Sequence, residues 1–368
     1  MLRLSWTSDQ RMIEDYGWSA VLQDAFAPHA AAGLSPARVV AHHRGLWRLV
    51  TSEGECAGRL SGRFAAEAAP GEHPVVGDWL AIDRVDAEGN ALIHALMTRK
   101  GAFARRAAGG VGVQIVAANV DVAFLVAGLN NDLNPRRLER YLVAARDSGA
   151  APVVVLTKLD LTSDLDSERQ AVVDIAAGAP VVTLSALTGE GLEVLMRWLQ
   201  PGVTAALLGS SGAGKSTLLN ALAGEELMST GAVREGDDRG RHTTTHRELF
   251  RLPGGALLID TPGMRELGLT ADDAALDQSF ADITALMGKC KFSNCTHTAE
   301  PGCAILASLA DESLNAARWQ SYLKLQRELA FVERTQDPAA EAANRARWKQ
   351  VHKNQRANYK RRRDDESG

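Results

Sequence analysis

Residues 209–216 of this 368-residue chain read Gly-Ser-Ser-Gly-Ala-Gly-Lys-Ser, a spacing that suits the binding of phosphate groups. Glycines let successive backbone N–H groups turn toward an anion, and the following helix directs its positive end there. Lys215 would reach the β- and γ-phosphates, and the Ser216 hydroxyl would ligate Mg²⁺. The expected phosphate-binding residues are Gly209, Ser210, Ser211, Gly212, Ala213, Gly214, Lys215, Ser216 and Thr217.

A second set of residues indicates the base. Residues 157–160 (Thr157, Lys158, Leu159 and Asp160) follow an apolar run, and the Asp160 carboxylate can accept two hydrogen bonds from guanine N1 and N2. The Lys158 stem can lie along the base plane. Ser185 and Ala186 follow another short apolar run, which would place a backbone N–H near guanine O6. We expect guanine. Two alternatives to guanine binding remain. These residues form ordinary strand-end turns, or the chain is an adenine-nucleotide enzyme, which Asp160 opposes.

Residues 260–263, Asp-Thr-Pro-Gly, end a further apolar run. Asp260 would hold Mg²⁺ through water, and the Gly263 N–H would sense the γ-phosphate. Met264 stands where small GTPases commonly carry a glutamine that orients the attacking water. Another group must therefore position this water, or the isolated enzyme is slow. A GTP-loaded RNA-binding module with incidental hydrolysis thus remains an alternative.

The segment 238–245 (Asp-Arg-Gly-Arg-His-Thr-Thr-Thr) lies between the phosphate loop and Asp260, where the first switch loop of a GTPase belongs. One of its threonines should complete the Mg²⁺ shell when GTP is bound. The glycines around this segment suggest mobility without GTP.

Three of the four cysteines and one histidine fall within 14 residues: Cys290, Cys295, His297 and Cys303. Three thiolates and one imidazole complete a tetrahedral zinc shell with no open position, which favours a structural ion. Reduced buried cysteines are the alternative, since a disulfide would leave one of the three unpaired. Cys56 lies far away in the sequence and is expected to be an ordinary small apolar residue.

Short elements must position these motifs. Four β-like runs separated by turns, at 38–50, 57–65, 75–85 and 91–97, predict a small antiparallel barrel. From about residue 117 strands and helices alternate, which predicts a largely parallel α/β sheet. Beyond about residue 272 the chain reads as helical. The expected α/β strands are 120–126, 152–157, 180–184, 205–208 and 256–259, and the expected helices are 135–148, 189–199 and 216–223.

The motif order is unusual because the guanine motifs precede the phosphate loop and Asp260 comes last. In ordinary GTPases the phosphate loop comes first. This order means that the same sheet is built from a circularly permuted chain, which neighbouring termini make tolerable. The γ-phosphate-sensing segment after Asp260 then runs directly into the C-terminal region.

Composition excludes some classes and charge separates the chain into two parts. With 45% apolar and 23% charged residues and a net charge of −4, the chain is neither largely disordered nor uniformly basic. No run is long enough for a membrane span, no signal-peptide pattern opens the chain, and four cysteines suit a reducing cytoplasm. Residues 345–363 carry nine bases, no acids and two aromatic residues, so the rest carries −13. A solvated tail is the plain alternative to an RNA-binding segment.

Taken together, the permuted motif order, the preceding barrel and the following cysteine cluster resemble the ribosome small subunit-dependent GTPase A family over nearly the whole chain. The resemblance implies an N-terminal extension (to about residue 35) with an OB-fold over 1–113, a circularly permuted P-loop GTPase domain over 114–275, and a helical zinc-binding domain with a basic tail over 276–368. It also implies Thr244 as the Mg²⁺ ligand and His242 as the residue that orients water. The alternative is that His242 and Arg241 contact only phosphate or RNA.

The function that the resemblance implies is GTP hydrolysis during late maturation of the small (30S) ribosomal subunit. The subunit would stimulate hydrolysis, and GDP would weaken its binding. The expected partners are 30S and its 16S rRNA, with GTP or GDP and Mg²⁺ in the nucleotide site, one structural zinc ion and no membrane. The protein would be a cytoplasmic monomer. The barrel, the zinc module, the basic tail and a basic cluster of Arg99, Lys100, Arg105 and Arg106 are the expected RNA-facing surfaces.

Overall fold

The protein is described by a computed structural model covering residues 13–43, 45–68, 71–83, 89–106, 113–130, 133–228, 247–260 and 273–336. Within these ranges, no helix combines the length and apolar character needed to cross a membrane.

Five short strands form the N-terminal barrel: β1 (Ser35–His43), β2 (Leu46–Thr51), β3 (Gly54–Leu60), β4 (Trp79–Ile82) and β5 (Asn90–Leu96). Their order is β1-β2-β3-β5-β4, and β4 pairs back to β1 to close the barrel. β3 and β5 run parallel and the other neighbours antiparallel. A closed five-stranded barrel with this order is an OB-fold.

The barrel differs from the sequence expectation in where its strands end. The run 38–50 is a hairpin, since β1 ends at His43 and β2 begins at Leu46. The run 57–65 stops being a strand at Leu60, where the Ser61 hydroxyl accepts a hydrogen bond from a backbone N–H of helix α2 and caps it. The barrel helices are α1 (Ala20–Ala31) and α2 (Gly62–Glu67).

A separate two-stranded hairpin, β6 (Ala102–Arg106) and β7 (Val113–Ala118), leads into the central sheet. The central elements are β8 (Val122–Gly128), α3 (Pro135–Asp147), β9 (Ala151–Thr157), α4 (Leu165–Ile175), β10 (Val181–Thr183), α5 (Leu192–Leu195), β11 (Thr204–Gly209), α6 (Lys215–Ala223), β12 (Glu248–Arg251) and β13 (Leu257–Asp260).

The central sheet has the order β10-β9-β8-β11-β13-β12. Its first five strands are parallel, and β12 runs antiparallel to β13. Every residue of β8 and β11 is buried, as expected for parallel strands covered on both faces. The expected helix over 189–199 is only partly formed, because α5 ends at Leu195 and a short 3₁₀ turn follows.

The C-terminal part is helical, as the sequence predicted, and it packs on α3 of the central unit. Arg318 forms a buried ion pair with Glu139 of α3 at 2.9 Å and a second pair with the half-exposed Asp282 at 2.7 Å. Arg140 of α3 binds the Glu328 carboxylate through two nitrogens, at 2.6 and 2.8 Å. The helices are α7 (Asp273–Ser279), α8 (Ala281–Met287), α9 (Ala304–Ala310) and α10 (Ala316–Gln336).

Arg38 fixes the barrel to the central sheet. This buried residue of β1 donates to the Tyr16 carbonyl, to the Thr204 hydroxyl at 2.8 Å and to the Gly77 carbonyl at 3.4 Å. Burial lowers its pKa to about 10 although the charges of Asp121 and Asp78 raise it. Because its partners come from three separate parts of the chain, Arg38 holds the barrel in register with β11.

Candidate functional site

The phosphate loop connects the buried strand β11 to α6, as its sequence predicts. Gly212 and Gly214 have φ angles of +78° and +90°, a left-handed conformation that glycine adopts without strain. At Gly209 a Cβ atom would lie 2.4 Å from the Val126 carbonyl oxygen, so only glycine fits there. The backbone of the loop can therefore curl around an anion at the N-terminus of α6.

Lys215 opens α6 and directs its ammonium group over this loop. Its Nζ donates to the Gly209 carbonyl at 2.9 Å and to the Ser210 carbonyl. Ser216 and Thr217 follow in the first turn of α6. The loop thus combines a cation, two hydroxyls and a helix N-terminus within one turn.

Thr157, at the end of β9, is fully buried and holds the phosphate loop in place. Its hydroxyl donates to the Ala213 carbonyl at 2.6 Å and lies 3.3 Å from the Ala127 carbonyl. A Cβ atom at Gly214 would lie 3.3 Å from this hydroxyl. The end of β9 is therefore joined directly to the phosphate loop.

Asp160 and Ser185 come together from the two neighbouring strand ends. The fully buried Ser185 hydroxyl donates to a carboxylate oxygen of Asp160 at 2.6 Å and accepts from the Thr188 N–H at 3.2 Å. Ala186 follows directly in the same turn. This arrangement orients a carboxylate at the carboxyl edge of the sheet, where the phosphate loop also lies.

Lys158 lies close to Gly128, a neighbour that the sequence motifs did not predict. Its backbone is left-handed, with φ +62°, and a Cβ atom at Gly128 would lie 3.2 Å from the Lys158 Cδ atom and 2.7 Å from the Asn130 side-chain oxygen. Gly128 therefore leaves space for the Lys158 stem. A glycine ending an otherwise apolar strand was the available signal.

Asp260 ends β13, which pairs in parallel with β11, so it lies at the same sheet edge as the phosphate loop. The structure therefore gathers Thr157, Asp160, Gly209 and Asp260 at one edge. Three other predicted site residues, His242, Thr244 and Gly263, lie outside the described residues.

Removal of the Asp160 carboxylate tests guanine selection. Asp160→Ala should weaken GTP binding about 10- to 100-fold, because a charged hydrogen bond contributes about 1.5–3 kcal/mol. Titration calorimetry with GTP and ATP measures both the loss and the narrowed preference for GTP. Asp166→Ala, an exposed carboxylate on α4, is the matched control and should bind GTP normally. An unchanged GTP/ATP ratio in Asp160→Ala would contradict this role.

The four predicted metal ligands also come together. The candidate ligand atoms of Cys290, Cys295, His297 and Cys303 all lie within 4.8 Å of one another. The His297 Nδ1 atom is 3.4 Å from the Cys303 sulfur and 3.6 Å from the Cys290 sulfur, and these two sulfurs are 4.0 Å apart. Tetrahedral zinc would place sulfur pairs about 3.8 Å apart and sulfur–nitrogen pairs about 3.6 Å apart. The cluster therefore fits one zinc ion.

Local contacts favour the thiolate at Cys290 and hold the His297 ring of this cluster. Burial raises the pKa of Cys290, but hydrogen bonds with the backbone N–H groups of Ala304 and Ile305 and with the Cys295 and Cys303 thiols lower it overall, whereas burial raises the pKa of Cys295 to about 11. A lowered pKa favours the thiolate that binds zinc. The His297 ring packs edge-on against Trp319 of α10, with 5.9 Å between ring centroids. The cluster thus links the loop 290–303 to the longest helix of the C-terminal part.

Arg99, a member of the basic cluster near the barrel, serves the fold. The Arg99 guanidinium binds both oxygens of the buried Asp78 carboxylate at 2.8 Å, and Lys100 pairs with Asp121 at 2.7 Å. Arg99 is therefore part of the fold rather than of an RNA-facing surface.

The fold and the site define a circularly permuted P-loop GTPase, since the guanine-motif strands β9 and β10 precede the phosphate loop in sequence but join it at one sheet edge. The chain belongs to the RsgA GTPase family, whose family model matches residues 96–270. It is accordingly a GTP-hydrolysing enzyme.

Two curated relatives support this assignment over most of the chain. The small ribosomal subunit biogenesis GTPase RsgA of Opitutus terrae is 48% identical, over 94% of this chain and 97% of the relative. RsgA 2 of Lactiplantibacillus plantarum is 47% identical, over 80% of this chain and 83% of the relative.

Solved structures agree with the fold. YjeQ from Thermotoga maritima is 26% identical with a TM-score of 0.60, covering 81% of this chain and 99% of YjeQ. YloQ, described as a circularly permuted GTPase, is 24% identical with a TM-score of 0.57, covering 83% of this chain and 96% of YloQ. The second likeness concerns the fold alone.

Proposed function

We propose that this enzyme binds the small (30S) ribosomal subunit, assists its late maturation, and is stimulated by the subunit to hydrolyse GTP, after which it is released. The observation that carries the proposal is the 48% identity to a small ribosomal subunit biogenesis GTPase over 94% of the chain. The hydrogen bond from Ser185 to Asp160, at the same sheet edge as the phosphate loop, supports the nucleotide part.

In the nucleotide site, Ser216 and Thr244 are proposed to ligate Mg²⁺, with Asp260 holding the ion through water and Gly263 meeting the γ-phosphate. Mg²⁺ would neutralise charge that develops on the phosphates during hydrolysis. The chain itself supplies Lys215 to hold the β- and γ-phosphates, Asp160 to hold the base, and Thr157 to keep these two groups at a fixed separation. Orientation of the water falls to a residue other than Met264.

His242 is the proposed residue for that orientation. His242→Ala should lower 30S-stimulated turnover about 100-fold while GTP affinity stays within twofold, since positioned proton-accepting groups contribute about 10²–10⁴-fold. Stimulated turnover under saturating GTP measures this effect, and His246→Ala, four residues further along the chain, is a control. Normal stimulated turnover in His242→Ala would remove the role and leave phosphate or RNA contact for this side chain.

The other parts of the chain are proposed to hold the subunit. The OB-fold (within 1–113), the zinc-binding unit (276–368) and the basic tail at 345–363 would contact 16S rRNA on either side of the GTPase domain (114–275). One zinc ion on the Cys₃His cluster would stabilise the zinc-binding unit. We further propose that the protein acts as a monomer in the cytoplasm.

The proposed function predicts that nucleotide state controls 30S affinity. Cosedimentation of the full chain with 30S particles should give at least about fivefold tighter binding with a non-hydrolysable GTP analogue than with GDP, within the usual range of coupled sites. Affinity should also fall steeply as salt rises, because phosphate contacts release counterions. Equal affinity in both nucleotide states, or tighter binding with GDP, would contradict the proposal.

A further inference from the structure

Strand β12, at the edge of the central sheet, also pairs with the barrel strand β1. Glu248, its first residue, is the register partner of Asp260 in β13 and of Ala41 in β1. Neighbouring strands lie about 4.8 Å apart, so the backbone of the barrel at Ala41 comes within about 10 Å of the backbone at Asp260 through one intervening residue. This is a short route between an OB-fold and a GTPase site.

Charged side chains strengthen the same contact. Arg48 of the barrel strand β2 pairs with the Glu248 carboxylate, and both side chains are partly buried. Arg48 also lies 3.9 Å from Glu55 of β3. At the other end of β12, Arg251 pairs with Asp15 at 3.1 Å. Both ends of β12 are therefore fixed by ion pairs to the N-terminal part of the chain.

The position of β12 in the sequence gives this contact its significance. It begins six residues after His242 and four after Thr244, which are proposed to act in the nucleotide site. A shift of β2 would therefore be transmitted through the Arg48–Glu248 pair to the start of β12, directly after those residues. The reverse also holds, because coupling between two binding sites is reciprocal.

We propose that the Arg48–Glu248 ion pair is a positioning contact that couples occupancy of the barrel by ribosomal RNA to the nucleotide state of the GTPase site. This inference rests on the proposed ribosomal function. Neither residue belongs to the phosphate loop or to the guanine motifs; Arg48 acts through Glu248 and the start of β12. A partly exposed pair contributes little to stability, up to about 1 kcal/mol, but its loss can change a coupling ratio about fivefold.

The decisive quantity is the ratio of 30S dissociation constants in GDP and in a non-hydrolysable GTP analogue. Arg48→Glu places a carboxylate against Glu248 and Glu55, and it should reduce this ratio at least about threefold. The charge-swapped double variant Arg48→Glu/Glu248→Arg should restore the ratio to within about twofold of the unaltered protein. Arg48→Gln and Glu248→Gln, which are milder, should change it in the same direction.

Arg63→Glu is the matched control. Arg63 lies on α2 of the same barrel, is highly exposed and pairs only with its helix neighbour Glu67 among the contacts of the described residues. Arg63→Glu makes the same change of charge as Arg48→Glu. It should leave the ratio of 30S dissociation constants unaltered, even where it weakens 30S binding overall. Melting temperature and GTP turnover without 30S, measured for every variant, establish that each one is folded.

Three outcomes overturn the inference. If Arg48→Glu weakens binding equally in both nucleotide states, Arg48 is an RNA contact and not a coupling residue. If the double variant fails to recover the ratio lost in Arg48→Glu, the pair is not the coupling element. If the unaltered protein itself shows a ratio of one, the proposed function fails as well, which distinguishes that failure from the first two.

Discussion

Lys215→Ala should lower kcat/KM for GTP about 100- to 1,000-fold, as removal of a single preorganised charge-stabilising donor does elsewhere. The ammonium group lies over the phosphate loop, where it donates to the Gly209 and Ser210 carbonyls, and it is proposed to hold the β- and γ-phosphates of GTP. Turnover of radiolabelled GTP at several substrate concentrations measures the loss and separates kcat from KM.

The control for this experiment is Lys324→Ala. Lys324 is an exposed lysine on α10, so its loss removes the same charge far from the phosphate loop. Its kinetics should match those of the unaltered protein, and both variants should melt at nearly the same temperature. A Lys215→Ala enzyme with kcat/KM within tenfold of normal would show that this loop is not the GTP site.

Cys295→Ser should abolish binding of the one expected zinc ion and unfold the loop around the cluster. Structural zinc contributes about 10–16 kcal/mol to the folding of small zinc modules, so a loss of several kcal/mol is expected here. The damage should spread into α10, because His297 packs against Trp319. Metal analysis gives the zinc content, and limited proteolysis followed by mass spectrometry shows whether residues 273–336 become accessible.

Cys56→Ala is the matched control, since Cys56 is a buried cysteine of the barrel far from the cluster. It should keep one zinc ion per chain and lose no more than about 1 kcal/mol of stability. The barrel and the central sheet should stay protease-resistant in both variants. Full zinc content in Cys295→Ser, or unchanged proteolysis after chelation, would contradict a structural zinc site.

Sequence alone predicted the parts of this molecule that short-range patterns specify. The phosphate loop, the guanine motifs and the Cys₃His spacing are local, and their order along the chain was enough to predict the permuted topology. Parallel strands then carry these motifs to a common sheet edge, so the gathering of Thr157, Asp160, Gly209 and Asp260 followed from fold class.

Contacts between distant segments could not be predicted in this way. The tether from Thr157 to the Ala213 carbonyl joins residues 56 positions apart, and Arg38 reaches Thr204 across 166 positions. A lone buried arginine or threonine has no periodic signature in sequence. The same holds for Arg99, which read as part of a basic surface because its partner Asp78 lies 21 residues away.

Strand limits in the barrel were wrong for a related reason. The run 38–50 shows a continuous preference for strand, and the break between β1 and β2 depends on how these strands pair. Ser61 ends β3 because it caps α2, a local signal that strand propensity obscured. Strand pairing and helix capping thus determine where the barrel strands end, whereas strand propensity predicts only that the strands form.

The most direct test of the account is GTP turnover by the full chain with and without purified 30S particles. Met264 stands where a water-orienting glutamine would lie, so the isolated enzyme should be slow and 30S should accelerate it at least about tenfold. Large (50S) subunits at the same RNA concentration should have little effect. If turnover is equal with 30S, with 50S and with neither, the protein is not a GTPase regulated by the small subunit.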